Sequence, residues 1–141
     1  MRKPEQAFYT WLKPHLPGEF CRVENIVDPG MPDISDCWPG FGDIWFELKV
    51  SDKKVFPGLY VVPFQKDDPY KVLRPTQVVW HILRAKEGSK VFTLVRHPDA
   101  LLIYKMSPEG EFFLHALLPT KRFFPKDMFK TEIERILKED K

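Results

Sequence analysis

The chain has 141 residues, 43% of them hydrophobic and 30% charged, with a formal net charge of +2. That length fits one domain, residues 1–141, with a real core, and the composition is ordinary for a globular protein. No apolar run approaches the roughly 20 residues needed to span a membrane, and the two cysteines, Cys21 and Cys37, form no metal-binding pattern. A charge of +2 neither demands nor opposes a nucleic-acid partner, because local patches matter more than totals. Residues 1–5, MRKPE, have no apolar signal core behind them, so the expected compartment is the reducing cytoplasm.

Residues 4–16 read as a helix. Pro4 suits a first turn, and Phe8, Trp11 and Leu12 share a face at three- and four-residue spacing. Pro14 and Pro17-Gly18 end it. Glu5 falls in its first turn, where a carboxylate complements the helix dipole. Residues 20–27, with Val23, Ile26 and Val27, read as a first strand broken by Asp28-Pro29-Gly30.

The stretch 30–50, GMPDISDCWPGFGDIWFELKV, organises the rest. Asp33-Ile34-Ser35 starts a strand that pairs back through the turn residues Pro39-Gly40-Phe41-Gly42. Beyond the turn, Ile44, Phe46, Leu48 and Val50 alternate with Trp45, Glu47 and Lys49. A period of two sends the first set to a core and the second to the other face. This hairpin brings the Asp33 end towards Glu47. Asp33 and Glu47 would supply carboxylates to Mg²⁺, a hard cation that takes oxygen ligands, with the Leu48 carbonyl as a third oxygen. Lys49 would be the ammonium that holds the attacking water or balances charge on a phosphodiester. The same triplet on a strand with a solvated polar face needs no such chemistry. Asp28 and Asp36 are rival carboxylates without the Pro-Asp context, and Asp43 reads as a turn residue.

Residues 53–74 mix basic Lys53, Lys54, Lys66, Lys71 and Arg74 with Phe56, Tyr60, Phe64 and Tyr70. Cations for phosphate and rings for exposed bases suit a nucleic-acid surface; a solvated loop over a minor core cluster is the other reading. Residues 59–62 could form an extra strand, and 66–71 look like an exposed loop. Residues 75–88 read as a helix opened by Pro75 and stopped by Gly88, with Val78, Val79, Ile82 and Leu83 as its apolar stripe. Arg84 and Lys86 on its other faces suit phosphate contact or plain solvation. His81 is a lone helical histidine, and the four histidines form no zinc pattern. Residues 90–96, 100–106 and 111–117 read as strands, the last two joined by Ser107-Pro108-Glu109-Gly110, and 125–138 as a final helix. The fold class expected from this order is α/β: a mixed central sheet with helices against it, completed by a C-terminal hairpin and helix.

The order Gly30-Met31-Pro32-Asp33, Glu47-Leu48-Lys49, Leu73-Arg74-Pro75-Thr76-Gln77 with Trp80, then Gly88 before a strand, resembles the PD-(D/E)xK nuclease superfamily over roughly residues 4–96. Within it the order is most similar to the VRR-NUC branch and to small phage or Holliday-junction-resolvase-like nucleases. The resemblance implies a restriction-endonuclease-like αβββαβ core, Mg²⁺ with Mn²⁺ able to substitute, and hydrolysis of DNA phosphodiester bonds. By position, Asp33 and Glu47 resemble the metal ligands, Lys49 the catalytic lysine, Glu5 the extra acidic residue of many members, and Gln77 the glutamine that opens the helix after the lysine strand. Residues 50–76 separate Lys49 from Gln77, a longer interval than compact members need.

The function expected on these grounds is a Mg²⁺-dependent endonuclease on double-stranded or branched DNA, with Lys53, Lys54, Lys71, Arg74 and Arg84 as phosphate contacts. A homodimer would supply two sites for two cuts. The alternatives are a non-catalytic DNA-binding or assembly protein that keeps the nuclease fold, and a purely structural α/β domain in a phage particle or host complex.

Overall fold

The computed structural model of the chain describes residues 3–16, 19–22, 34–38, 40–56, 65–121 and 124–139. Asp28, Asp33, the second half of the expected first strand and the expected strand at 59–62 lie outside them. The described elements are, in order, α1 (Lys3–Leu12), β1 (Glu19–Arg22), β2 (Ile34–Trp38), β3 (Gly42–Val50), β4 (Gln65–Asp67), α2 (Pro75–Lys86), β5 (Lys90–Arg96), β6 (Ala100–Met106), β7 (Phe112–Pro119) and α3 (Met128–Glu139). The expected αβββαβ order is present, followed by the hairpin and the last helix. The α-helix α1 stops at Leu12 and tightens into a 3-10 turn over Lys13–His15. Pro14 cannot donate the N–H that would continue it.

The described strands form one mixed sheet in the order β1-β2-β3-β5-β6-β7-β4. Among them only β3 and β5 run parallel, with Ile44 opposite Lys90 and Val50 opposite Arg96, and α2 makes the crossover that parallel neighbours require. β2 pairs antiparallel with β3, Ile34 opposite Phe46 and Trp38 opposite Gly42. The tight turn between them uses Gly40 and Gly42 at positive φ, a backbone region open to glycine. Residues 66–71, expected as a loop, instead contain the short edge strand β4, which pairs with β7, and a 3-10 turn over Pro69–Lys71.

Each face of the sheet buries its own cluster. On one face Ile44, Phe46 and Leu48 of β3 meet Phe92 and Leu94 of β5, Phe8 and Leu12 of α1, and Phe129, Ile133, Ile136 and Leu137 of α3. Phe8, Phe46, Phe92 and Phe129 are wholly buried, each worth about 1.5–3 kcal/mol relative to exposure. The alternation expected of β3 therefore holds through Leu48. Val50 departs from it at 41% exposed, because the strand's last residue runs past the helices that cover its neighbours. On the opposite face Val55, Leu73 and Val78 close over Val95, Leu102, Tyr104, Phe112 and Leu114.

The helix α2 sits over β5 and β6 with a rotation that its apolar residues did not predict. Val78 is buried as expected, but Val79 and Leu83 are 56% and 55% exposed, while Gln77, Trp80, His81 and Ala85 face inward. The cause lies beneath the helix. Trp45 and Glu47 rise from this face of β3, and Trp80 and His81 meet them. A buried carboxylate needs polar company more than the helix needs two further apolar contacts.

Candidate metal and nucleic-acid site

β3 positions the site. Glu47 lies between two paired neighbours, with Phe46 opposite Ile34 of β2 and Glu47 itself opposite Thr93 of β5. The polar face of the strand is not open to solvent at this residue, as the alternative of a solvated face would require: Glu47 is only 3% exposed. His81, fully buried, brings its Nε2 to 3.9 Å from the Glu47 Oε1, within ion-pair range and longer than a hydrogen bond. Thr93 turns onto the same face, and its buried hydroxyl has no hydrogen-bond partner among the described residues. Gln77 stands one helical turn before His81, on the same side of α2. Its amide oxygen accepts the Arg74 N–H at 3.0 Å and so pins the start of the helix; the donors of this side chain are its amide N–H groups.

Around this polar centre the exposure rises. Lys49 and Trp45, two residues to either side of Glu47 on the same strand face, are half-buried. Trp45 packs edge-on against Trp80 at 5.2 Å between ring centres, and the Arg84 guanidinium lies 4.8 Å over the Trp80 ring. Arg84 also holds Glu87 at 3.0 Å.

The basic residues collect at the carboxyl end of the parallel pair. A helix that links parallel strands must run back against them, so Arg74 and Gln77 at the start of α2 lie at the ends of β3 and β5. The segment after β3 is tied to the same end. Ser51 donates its N–H to the Arg96 carbonyl at 2.9 Å, and His97 Nδ1 meets the Lys53 carbonyl at 2.7 Å. The two Asp99 oxygens accept the N–H groups of Val55 and Phe56, each at 2.8 Å. Those bonds, that of Val55 first, hold the Asp99 carboxyl below its ordinary pKa. The exposed side chains of Lys53 and Lys54 are thus carried on a fixed backbone. Lys71 faces Asp67 at 3.4 Å and Lys66 faces Glu111 at 2.8 Å. These are surface pairs of small energy that a phosphate can displace.

Of the residues singled out in the sequence, Glu47, Lys49 and Gln77 are brought to the α2 side and the ends of β3 and β5, with Lys53, Lys54 and Arg74 beside them, whereas the Leu48 side chain is buried on the α1 face and only its main chain lies between Glu47 and Lys49. Glu5 is half-buried on α1, which packs on the other face of the sheet. Asp33 lies outside the described residues; it precedes Ile34, which pairs with Phe46. The rival Asp36 is buried on the α1 face, where it accepts the Trp38 indole N–H, and so points away from Glu47. Asp43 is exposed at the start of β3. Sequence reasoning weighed His81 only as a lone helical histidine and did not single out Thr93 or Asp99. The four-residue spacing of Gln77 and His81 was the available signal for the first. No three His, Cys, Asp or Glu residues converge among the described residues. The donors that are present, a carboxylate, a main-chain carbonyl and the Thr93 hydroxyl, which has no hydrogen-bond partner among the described residues, are all oxygens, the type a hard divalent cation takes.

No family model and no curated protein matches the chain. A solved structure that it is similar to is Hjc, a Holliday junction resolvase from the archaeal hyperthermophile Archaeoglobus fulgidus. The two superpose with a TM-score of 0.46 at 17% identity, over 79% of this chain and 83% of that one.

Proposed function

We propose that this chain is a divalent-cation-dependent nuclease that hydrolyses phosphodiester bonds in DNA. The observation that carries the reading is the placement of Glu47 and Lys49 on one face of β3, the acid buried and the lysine half-buried. They stand at the end of the sheet where Lys53, Lys54 and Arg74 collect. Asp33 and Glu47 are the carboxylates assigned to the cation, with the Leu48 carbonyl as a third oxygen; Glu5, carried on the α1 face of the sheet, is not grouped with them. Held by these oxygens, Mg²⁺, or Mn²⁺ in its place, would supply Lewis-acid polarisation of the phosphodiester and a lowered pKa for the attacking water. Lys49 places its ammonium against the negative charge that grows on the phosphoryl oxygens. Gln77, whose amide oxygen is held by the Arg74 N–H, is assigned to the same site through its amide N–H groups. Lys53, Lys54, Lys71, Arg74 and Arg84 hold the flanking phosphates, an interaction strong in low salt and weak in high salt.

The substrate we assign is duplex or branched DNA, the four-way junction included, with a homodimer as the form that makes two cuts. The test is cleavage of labelled four-way junction, flap, linear duplex and single-stranded DNA in Mg²⁺, Mn²⁺ or EDTA, by wild type and by Asp33→Ala. Metal-dependent cutting that the variant lacks supports the reading and identifies the substrate. DNA binding with no cutting of any substrate replaces it with a non-catalytic DNA-binding module on the same fold.

A further inference from the structure

Helix α2 has two apolar residues, Val79 and Leu83, that it leaves more than half exposed, and it turns the polar Gln77 and His81 into the protein instead. That choice costs apolar burial, and it places a fully buried imidazole against the buried carboxylate on this face of β3. We propose that His81 is a positioning residue for Glu47: its Nε2 edge, 3.9 Å from Oε1, selects the direction in which the carboxylate points and so presents the other oxygen to a divalent cation. This inference rests on the reading of Glu47 as a metal carboxylate.

The geometry suits that task. Glu47 is fixed at its backbone by the parallel pairing with β5, but a glutamate side chain has three torsions of its own. The buried imidazole of His81, within ion-pair range of Oε1, narrows that freedom. It stands on a helix whose start is pinned by Gln77, and its neighbour Trp80 packs on Trp45 of the same strand, so the imidazole cannot drift along β3. Thr93, opposite Glu47 on β5, adds a hydroxyl to the same polar centre. Groups that touch a ligand rather than the metal fix its orientation and raise its affinity, and their loss typically weakens metal binding about 10–100-fold. His81 acts through Glu47 and is given no contact with the substrate.

The test uses the full chain and two probes. In a ¹⁵N-labelled sample, the ring nitrogen signals of His81 are identified by their loss in His81→Gln and followed during a Mg²⁺ titration. They are expected to shift and saturate with Mg²⁺ in the wild type and to stay fixed in Glu47→Gln. Separately, Mn²⁺ affinity is measured by electron paramagnetic resonance. His81→Leu is expected to bind Mn²⁺ about tenfold more weakly, and His81→Gln, which keeps a polar group near the Nε2 position, to stay within about threefold of wild type. Ring signals that do not move while the wild type binds Mg²⁺ overturn the proposal, and so does a folded His81→Leu protein with wild-type affinity. Should His81→Leu not fold, the ring signals decide alone. Equal Mn²⁺ binding by wild type and Glu47→Gln is a different result: it removes the cation from Glu47 and fails the underlying reading. Loss of Mn²⁺ binding in Glu47→Gln with silent His81 signals fails only the proposal.

Discussion

Glu47 on β3 and His81 on α2 face each other inside the protein, 3.9 Å apart and both shielded from solvent. A carboxylate in such a place is held in one orientation by its surroundings, which a surface glutamate is not. The same shielding makes the residue matter to stability. Glu47→Ala removes the group beside His81 and leaves a cavity among polar atoms, a loss of about 1–3 kcal/mol. Glu47→Gln keeps the volume and is expected to retain the wild-type melting temperature more closely. Thermal unfolding of the two variants, side by side, checks this, and equal melting temperatures for all three proteins would place Glu47 in a less demanding environment.

Lys49 is assigned to charge on the reacting phosphate and not to the cation. Lys49→Ala is therefore expected to lower the cleavage rate by about 10²–10³-fold while Mn²⁺ affinity stays at the wild-type value. Single-turnover rates and a Mn²⁺ titration separate the two effects. A variant that cuts at full rate, or one that fails to bind Mn²⁺, would give Lys49 another role.

The cations at the ends of β3 and β5, together with Lys71 beside the edge strand β4, are expected to bind phosphate. Replacing Lys53, Lys54, Lys71 and Arg74 with alanine should weaken DNA binding and flatten its dependence on salt, by about 0.9 in the log-log slope for each phosphate no longer neutralised. Lys71 should contribute least, since it must first leave Asp67. Fluorescence anisotropy across a salt series measures the slope, and an unchanged slope would put the DNA elsewhere on the surface.

Asp99 anchors the backbone of Val55 and Phe56, and those bonds lower its folded-state pKa below the unfolded value. The sign follows from linkage. The stabilisation is fully present above the unfolded pKa and is lost as pH falls through the depressed folded one. Asp99→Asn should therefore melt below wild type at neutral pH, and the gap should narrow as the solution is made acid through and below the ordinary carboxylate range. Melting temperatures of both proteins over that range test it. A gap that is constant with pH would show that the charge on Asp99 contributes nothing.

The rotation of α2 gives a plain test of packing. Leu83 is more than half exposed, so Leu83→Lys should change stability by no more than about 0.5 kcal/mol. Leu73→Ala, a truncation in the cluster under the helix, should cost about 2–5 kcal/mol. Denaturant titrations of both variants distinguish this rotation from one that buries Leu83.

What could be seen in the sequence follows from the same packing. The alternation of Ile44, Phe46 and Leu48 against Trp45, Glu47 and Lys49 was legible because one face of β3 packs into the apolar cluster of α1 and α3. β5, β6, β7 and α3 were legible from their periods and turns. The facing of α2 was not, because an apolar stripe of Val78, Val79, Ile82 and Leu83 predicts a neighbour that is apolar too, and the neighbour here includes Glu47. That Glu47 is buried and not solvated depends on a helix folded over it from roughly thirty residues further along the chain. The role of Asp99 was hidden for a similar reason, since its partners Val55 and Phe56 are distant in sequence and recognised through their backbone. In the candidate site, Glu47 and Lys49 could be named from spacing and Gln77 through the family resemblance, whereas His81 gained meaning only once the strand and the helix were seen together.

The most direct test of the central claim is the rate at which labelled duplex and four-way junction DNA are cut in Mn²⁺ by wild type and by Glu47→Gln, with an EDTA control and matched circular dichroism. The account predicts cutting by wild type in Mn²⁺, none in EDTA, and none by the folded variant. Cutting by Glu47→Gln at the wild-type rate, or cutting by wild type in EDTA, would contradict it.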